Sequence, residues 1–368
     1  MSWSKVFAVA LVVGLAIVSP TLAQKKGGKP SKPNAETVAE GIVQGAIGVR
    51  LEEYMSSASN FPNGFSGCVL VARKGEILLE RGFGIADADK DVKLKSDALW
   101  DWCSVTKQFT AAAVLKLEMQ KKLSIEDPLS KFFPKCPDDK SKVTLRQMLN
   151  HTSGIGTPAL DGVDPRDREA VVKAFLAAPI VSKPGEKWEY SNMCYIVLAA
   201  IIEKLAGKTY EGYCEEQLFE PAGMKDAGFV GDGKIDLKRV PRDARGRGPQ
   251  FAYGYEMTWG YRGCGGAVAS VADMLLWHKA LGGTKILSQA AKTEYYAVGL
   301  NNYALGWEVS KDSGHLTYAH SGHTGKVVTY FMRDVDDDIV VALACNEEPA
   351  AHPKITADNL AVIARKAK

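Results

Sequence analysis

The sequence predicts an α+β fold: an antiparallel sheet built from both chain ends and flanked by helices, with a mainly helical lobe between. Three observations carry this expectation. Strand-like runs lie near both ends, at Gly67–Arg73 and Glu76–Arg81 and again at Tyr303–Val309, Lys326–Arg333 and Ile339–Cys345. From Thr106 to about Leu281 the pattern is mainly helical. Two runs within that stretch, Phe109–Leu117 and Asn192–Ala206, are apolar nearly all round, as buried helices are.

Taken in order, Lys25–Asn34 is rich in Lys, Gly and Pro and reads as a flexible leader. A helix is expected from about Ala35 to Ser57, where Val38, Ile42, Ile47, Leu51 and Tyr54 recur near helical spacing. The two strands that follow are separated by Lys74-Gly75, a hairpin signal. Asp87, Asp89 and Asp91 alternate in the next loop, but the glycine and distal Glu of an EF-hand are missing, so a solvated turn is expected. Lys107–Lys121 forms the first buried helix. Thr144 is placed to cap a short helix ending near Asn150, and Asp167–Ala178 reads as a helix closed by Pro179. Gly207 stops the Asn192 helix. Lys234–Gly248 is a basic loop, Ser270 caps a helix running to Leu281, and a last helix spans about Lys354 to Arg365.

Composition bounds the function classes. The 368 residues are 46% hydrophobic and 24% charged, values of a soluble globular protein. The net charge of +3, with no basic stripe interleaved with aromatics, argues against nucleic acid as a partner. Lys5, the apolar run Val6–Val18 and the small residue Ala23 read as an export signal over residues 1–23, too short for a membrane span. A basic leader (24–37) and a single large domain (38–368) would follow, leaving no stable membrane anchor after cleavage, and the mature chain is expected to be periplasmic or secreted. Seven cysteines without a Cys-x-x-Cys pair suggest mostly buried thiols, with room for one or two disulfides.

The chemistry gathers at three short stretches. Ser104 and Lys107 in Trp102-Cys103-Ser104-Val105-Thr106-Lys107 are three apart, so a helix puts a hydroxyl and an amine on one face as nucleophile and base. The spacing alone is weak, for Ser2 and Lys5 share it. Tyr190-Ser191-Asn192 opens the second buried helix, and His320-Ser321-Gly322 precedes the strand expected at Lys326. The Gly-x-Ser-x-Gly nucleophile elbow is absent. His315, His320 and His323 suggest a metal, but no nearby Cys or carboxylate completes a ligand set, and neither metal nor organic cofactor is expected.

In this order, Ser-x-x-Lys, Tyr-x-Asn and His-x-Gly resemble the motifs of the serine β-lactamase and penicillin-binding superfamily, in its class C β-lactamase-like branch. Gly82–Asp87, His151-Thr152-Ser153-Gly154, Pro184-Gly185 and Gly265–Asp273 look like further landmarks, so the likeness runs from about Phe65 to the C-terminus. It implies a β-lactamase-like catalytic domain whose α/β lobe takes residues of about 38–105 and 283–368 and whose helical lobe takes about 106–282. It also implies that Ser104 is acylated, that Lys107 or Tyr190 or both carry its proton, and that Asn192 orients Lys107 and the substrate. The N–H groups of Ser104 and His323 would form the oxyanion hole, with Ser321 and Gly322 beside the substrate. His320 stands where many relatives carry Lys, which argues against efficient β-lactam hydrolysis. The expected activity is acylation and hydrolysis of small esters, amides or D-alanyl peptides. The alternatives are a β-lactamase, or a catalytically silent protein that holds peptides in the same cleft. Two departures stand out: the bulky Trp102 and Cys103 before the serine, and a histidine, His323, after Gly322.

Overall fold

The computed structural model describes residues 41–60, 64–159, 164–242, 251, 256–311, 314–347, 349 and 351–367. The expected signal and leader lie outside these residues, as does the first part of the expected first helix.

Twelve strands are described: β1 Ile42–Val43, β2 Gly67–Arg73, β3 Glu76–Phe83, β4 Ile85–Asp87, β5 Val92–Lys93, β6 Trp100–Asp101, β7 Gly228–Phe229, β8 Ala267–Ala269, β9 Glu308–Ser310, β10 Thr317–His323, β11 Val328–Asp334 and β12 Ile339–Cys345. Seven form one antiparallel sheet in the order β1-β3-β2-β12-β11-β10-β9, so the N-terminal hairpin and the C-terminal strands meet at the β2–β12 pair. The Lys74-Gly75 turn has φ of 51° and 79°, the mirror-image turn that matches strand twist.

The central strands β11 and β12 are buried along their whole length because both sheet faces are covered. On β12, Ile339, Val341, Leu343 and Cys345 join one core cluster with Leu51 and Met55 of the Gly45–Ser59 helix and Leu360 of the Pro353–Ala364 helix. The alternate residues Val340, Ala342 and Ala344 join the larger cluster shared with the central helices. That is period-two alternation between two dry layers, each buried Val, Leu or Ile contributing roughly 1.5–3 kcal/mol.

In the helical region the Thr106–Met119 helix buries every residue from Thr106 to Leu115, packing Phe109 edge-on against Phe219 and Trp277. The Asn192–Ala206 helix lies in the same core. Thr144 and Ser270 both form capping boxes, and Asp167 caps Arg168–Ala177.

Several expectations need correction. The first described helix begins at Gly45, after a short edge strand at Ile42–Val43. Of Tyr303–Val309, only Glu308 and Val309 enter a strand, because Tyr303 lies in the turn before it. The strand expected from Lys326 starts at Val328, and His320-Ser321-Gly322, which does precede it, lies itself within a strand, β10. The central region also contains a three-stranded sheet, β6-β8-β7, whose strands of two or three residues are too short to show alternation. All seven cysteines are free, so no disulfide forms.

Candidate active site

The small sheet delivers the serine. β6 ends at Asp101, and Cys103–Val105 is a 3-10 turn leading into the Thr106–Met119 helix. Trp102 is pinned at both ends: its N–H donates to Ala267 O at 2.8 Å and its indole N–H to Ala269 O at 3.1 Å, both on β8. The Trp102 carbonyl accepts the Thr329 hydroxyl of β11 at 3.1 Å. Cys103 is in the left-handed region, φ 47°, which costs a non-glycine residue about 1–2 kcal/mol. Asp101 holds it there by accepting the Cys103 N–H at 2.8 Å. Burial pushes the Asp101 carboxyl up to about 6, although that N–H and the Tyr261 hydroxyl favour its charged form. The Cys103 thiol is buried and donates to the Asp101 carbonyl, and burial with the nearby Asp101 raises it well above its ordinary value. It is a structural thiol and not a competing nucleophile.

Lys107 is fully buried. Its Nζ donates to Ser104 Oγ at 3.0 Å and to Cys264 O at 2.9 Å, and lies 4.9 Å from the centre of the Tyr190 ring. Ser104 precedes the helix rather than sharing it, yet the turn leaves the two side chains in contact. No carboxylate pairs with Lys107 among the described residues; carbonyl dipoles and the Tyr190 and Tyr195 ring faces surround it.

Tyr190 and Asn192 flank Ser191, which caps the Asn192–Ala206 helix. The Tyr190 ring packs 4.4 Å from His151 and 6.2 Å from both Trp188 and His320. Asn192, exposed, shares a cavity of about 350 Å³ with Ser104, Cys103, Tyr261, Cys264 and His323. His323 also borders a second cavity of about 400 Å³, with Ser321, Gly322 and Pro353. A larger cavity of about 610 Å³, around Glu211, Asp232 and Arg262, contains none of these residues.

His320 is buried and its protonation can be assigned. Its Nδ1 faces the Ser321 carbonyl at 2.6 Å, which only an N–H can do, so Nε2 accepts the Tyr303 hydroxyl at 2.9 Å. Burial, and secondarily the Lys107 charge, push this imidazole down to about 3, so it is neutral. Tyr303 gives no motif signal; only the fold brings it here. Gly322 follows from packing: a Cβ there would lie 2.8 Å from Trp102 O, 2.7 Å from Cys103 Cβ and 2.4 Å from Thr329 Oγ1. The strand must run that close to the serine turn, and only glycine permits it.

His315, His320 and His323 occupy different surroundings. Against the expectation that no nearby carboxylate completes a ligand set, His315 sits with Asp334 and Asp336, and its Nδ1 is 3.0 Å from Asp337. Arg365 and the N–H groups of Asp336 and Asp337 already occupy the Asp334 carboxylate.

The Beta-lactamase family model matches residues 58–365. The chain belongs to the beta-lactamase family. It is 32% identical over 252 residues to PbpX of Bacillus subtilis (strain 168), covering 68% of this chain and 63% of PbpX. It is 30% identical over 205 residues to esterase EstB of Burkholderia gladioli, covering 50% of this chain and 52% of EstB. It thus spans less than two thirds of either relative's length. Among solved structures, D-amino acid amidase of Ochrobactrum anthropi SV3 superposes with a TM-score of 0.75 at 19% identity, over 88% of this chain and all of that one, a likeness of fold.

Proposed function

We propose that this beta-lactamase family member is an exported serine hydrolase, of the class C-like branch, that hydrolyses small esters, amides or D-alanyl peptides through an acyl-enzyme on Ser104. The observation that carries the reading is the 3.0 Å contact of Lys107 Nζ with Ser104 Oγ beside the Tyr190 ring, at the wall of a cavity. A protonated Lys107 donates to Ser104; attack requires the reverse, with Ser104 O–H donating to a neutral amine, or its proton passing on to a Tyr190 phenolate. Ser104 Oγ then bonds to the substrate carbonyl carbon. The carbonyl oxygen takes up negative charge against the N–H groups of Ser104 and His323, each worth roughly a hundred- to a thousandfold in rate. The leaving alkoxide or amine departs with the shuttled proton, and water, activated by the same groups, releases the acid.

A neutral, Tyr303-bound His320 supplies no cation for a substrate carboxylate, which favours esters and amides over β-lactams and over D-alanyl peptides with a free C-terminal carboxylate. Relatives named as an esterase and an amidase support the same range. The basic, apolar, then small-residue pattern of residues 1–23 supports export. The test is hydrolysis of p-nitrophenyl esters, amino-acid amides, D-alanyl peptides and a chromogenic cephalosporin by wild type and Ser104→Ala. Turnover of an ester or amide by the wild type alone is expected. Equal turnover by the variant, or none by either, overturns the reading.

A further inference from the structure

His151 has no part in the chemistry just described, yet its ring packs against Tyr190 and it holds both of that residue's chain neighbours. It is buried, non-glycine, and left-handed at φ 61°. That conformation turns two acceptors toward one segment. The His151 carbonyl accepts the Glu189 N–H at 2.8 Å, and its ring Nδ1 accepts the Ser191 N–H at 3.1 Å. The two bonds bracket Tyr190, and the imidazole lies against the Tyr190 ring with centroids 4.4 Å apart and planes 38° from parallel.

These contacts end a longer ladder. Gly156 N–H donates to Pro179 O, Val181 N–H to Gly154 O and Gly185 N–H to Thr152 O, at 2.7–2.9 Å, joining His151–Gly156 to the segment that carries Tyr190. Because Nδ1 accepts a hydrogen bond, the ring proton sits on Nε2, which has no hydrogen-bond partner among the described residues. Tyr195, Tyr303 and Trp188 surround the imidazole at 4.8–5.9 Å. Burial, then the Lys107 charge, hold it neutral, as an acceptor must be.

We propose that His151 is the positioning residue for Tyr190: its carbonyl and Nδ1 fix the Glu189–Ser191 backbone while its ring face sets the angle of the phenol toward Lys107 and Ser104. The assignment rests on the hydrolase reading above. Its test is kcat, KM and the pH profile of p-nitrophenyl butyrate hydrolysis, with kcat expressed per serine titrated by a phosphonate. His151→Phe keeps a flat ring and the backbone carbonyl but loses the side-chain acceptor; His151→Asn keeps a side-chain acceptor and tolerates a left-handed φ. His151→Phe should lower kcat about a hundredfold with little change in KM and displace the pH profile. His151→Asn should restore most of kcat. Should the Phe variant not fold, His151→Gly, at ease with this φ, supplies the comparison without a side-chain acceptor, with the same expectation. A variant without the side-chain acceptor that keeps wild-type kcat and pH profile overturns the proposal, as does equal loss in the Asn variant. A wild type that takes up no phosphonate overturns the hydrolase reading itself, a different result from either of these.

Discussion

Individual side chains set the protonation states on which the site depends. His320 has a folded-state pKa of about 3 against an ordinary 6.5, so it gains no proton in the native state where the unfolded chain does. Its stabilising contribution is therefore complete above pH 6.5 and is lost as pH falls toward 3, by about 1.4 kcal/mol per pH unit. The stability advantage of wild type over His320→Asn, from urea unfolding, should narrow steadily below pH 6.5; an advantage independent of pH would mean that the native ring titrates normally. Over the same range no inflection in kcat/KM should arise from His320. At this scale the sequence revealed the motif residues but not their partners. Ser104 and Lys107 are three apart, and their contact was readable from spacing. Tyr303 and His320 are separated by 17 positions, and no local pattern marks a phenol destined for an imidazole.

At the scale of elements, the serine turn is locked between two strands that the chain supplies from far apart. β8 grips Trp102, and β11 holds its carbonyl through Thr329. Strand β10 passes close enough to exclude any side chain at Gly322. This accounts for the two residues that looked out of place before the serine. Trp102 is an anchor, and Cys103 fills the space facing Gly322 while bearing a backbone strain that Asp101 offsets. Gly322→Ala should destabilise the protein by roughly 1–3 kcal/mol and slow acylation, because the methyl meets Thr329 Oγ1, Cys103 Cβ and the Trp102 carbonyl together, and the Thr329 hydroxyl is itself tied to that carbonyl. Thermal unfolding with acylation kinetics checks this; an unchanged rate and midpoint would contradict it. Long apolar strands and helices were legible because burial on every side leaves a continuous run. The strands of the small sheet were not, since two or three residues carry no period.

The whole molecule places its site where a sheet from both chain ends meets the central helices. That plan was legible from the distribution of strand and helix patterns alone. The cysteines were less so: their apolar settings pointed to buried thiols, yet their number left disulfides open. In the structure six of the seven are buried and only Cys136 is partly exposed. A thiol reagent should therefore modify at most one cysteine in the native protein and seven after unfolding. The unfolding midpoint should not respond to a reducing agent. A drop on reduction would reveal a disulfide and contradict the arrangement.

The central claim, that Ser104 is the acylated nucleophile, is tested most directly by trapping it. Wild-type protein treated with an alkyl fluorophosphonate should gain the mass of a single adduct, and peptide mapping should place it on Ser104, with none formed in Ser104→Ala or Lys107→Met. An adduct on Cys103 or any other residue, or full labelling of the Ser104→Ala protein, would contradict the account.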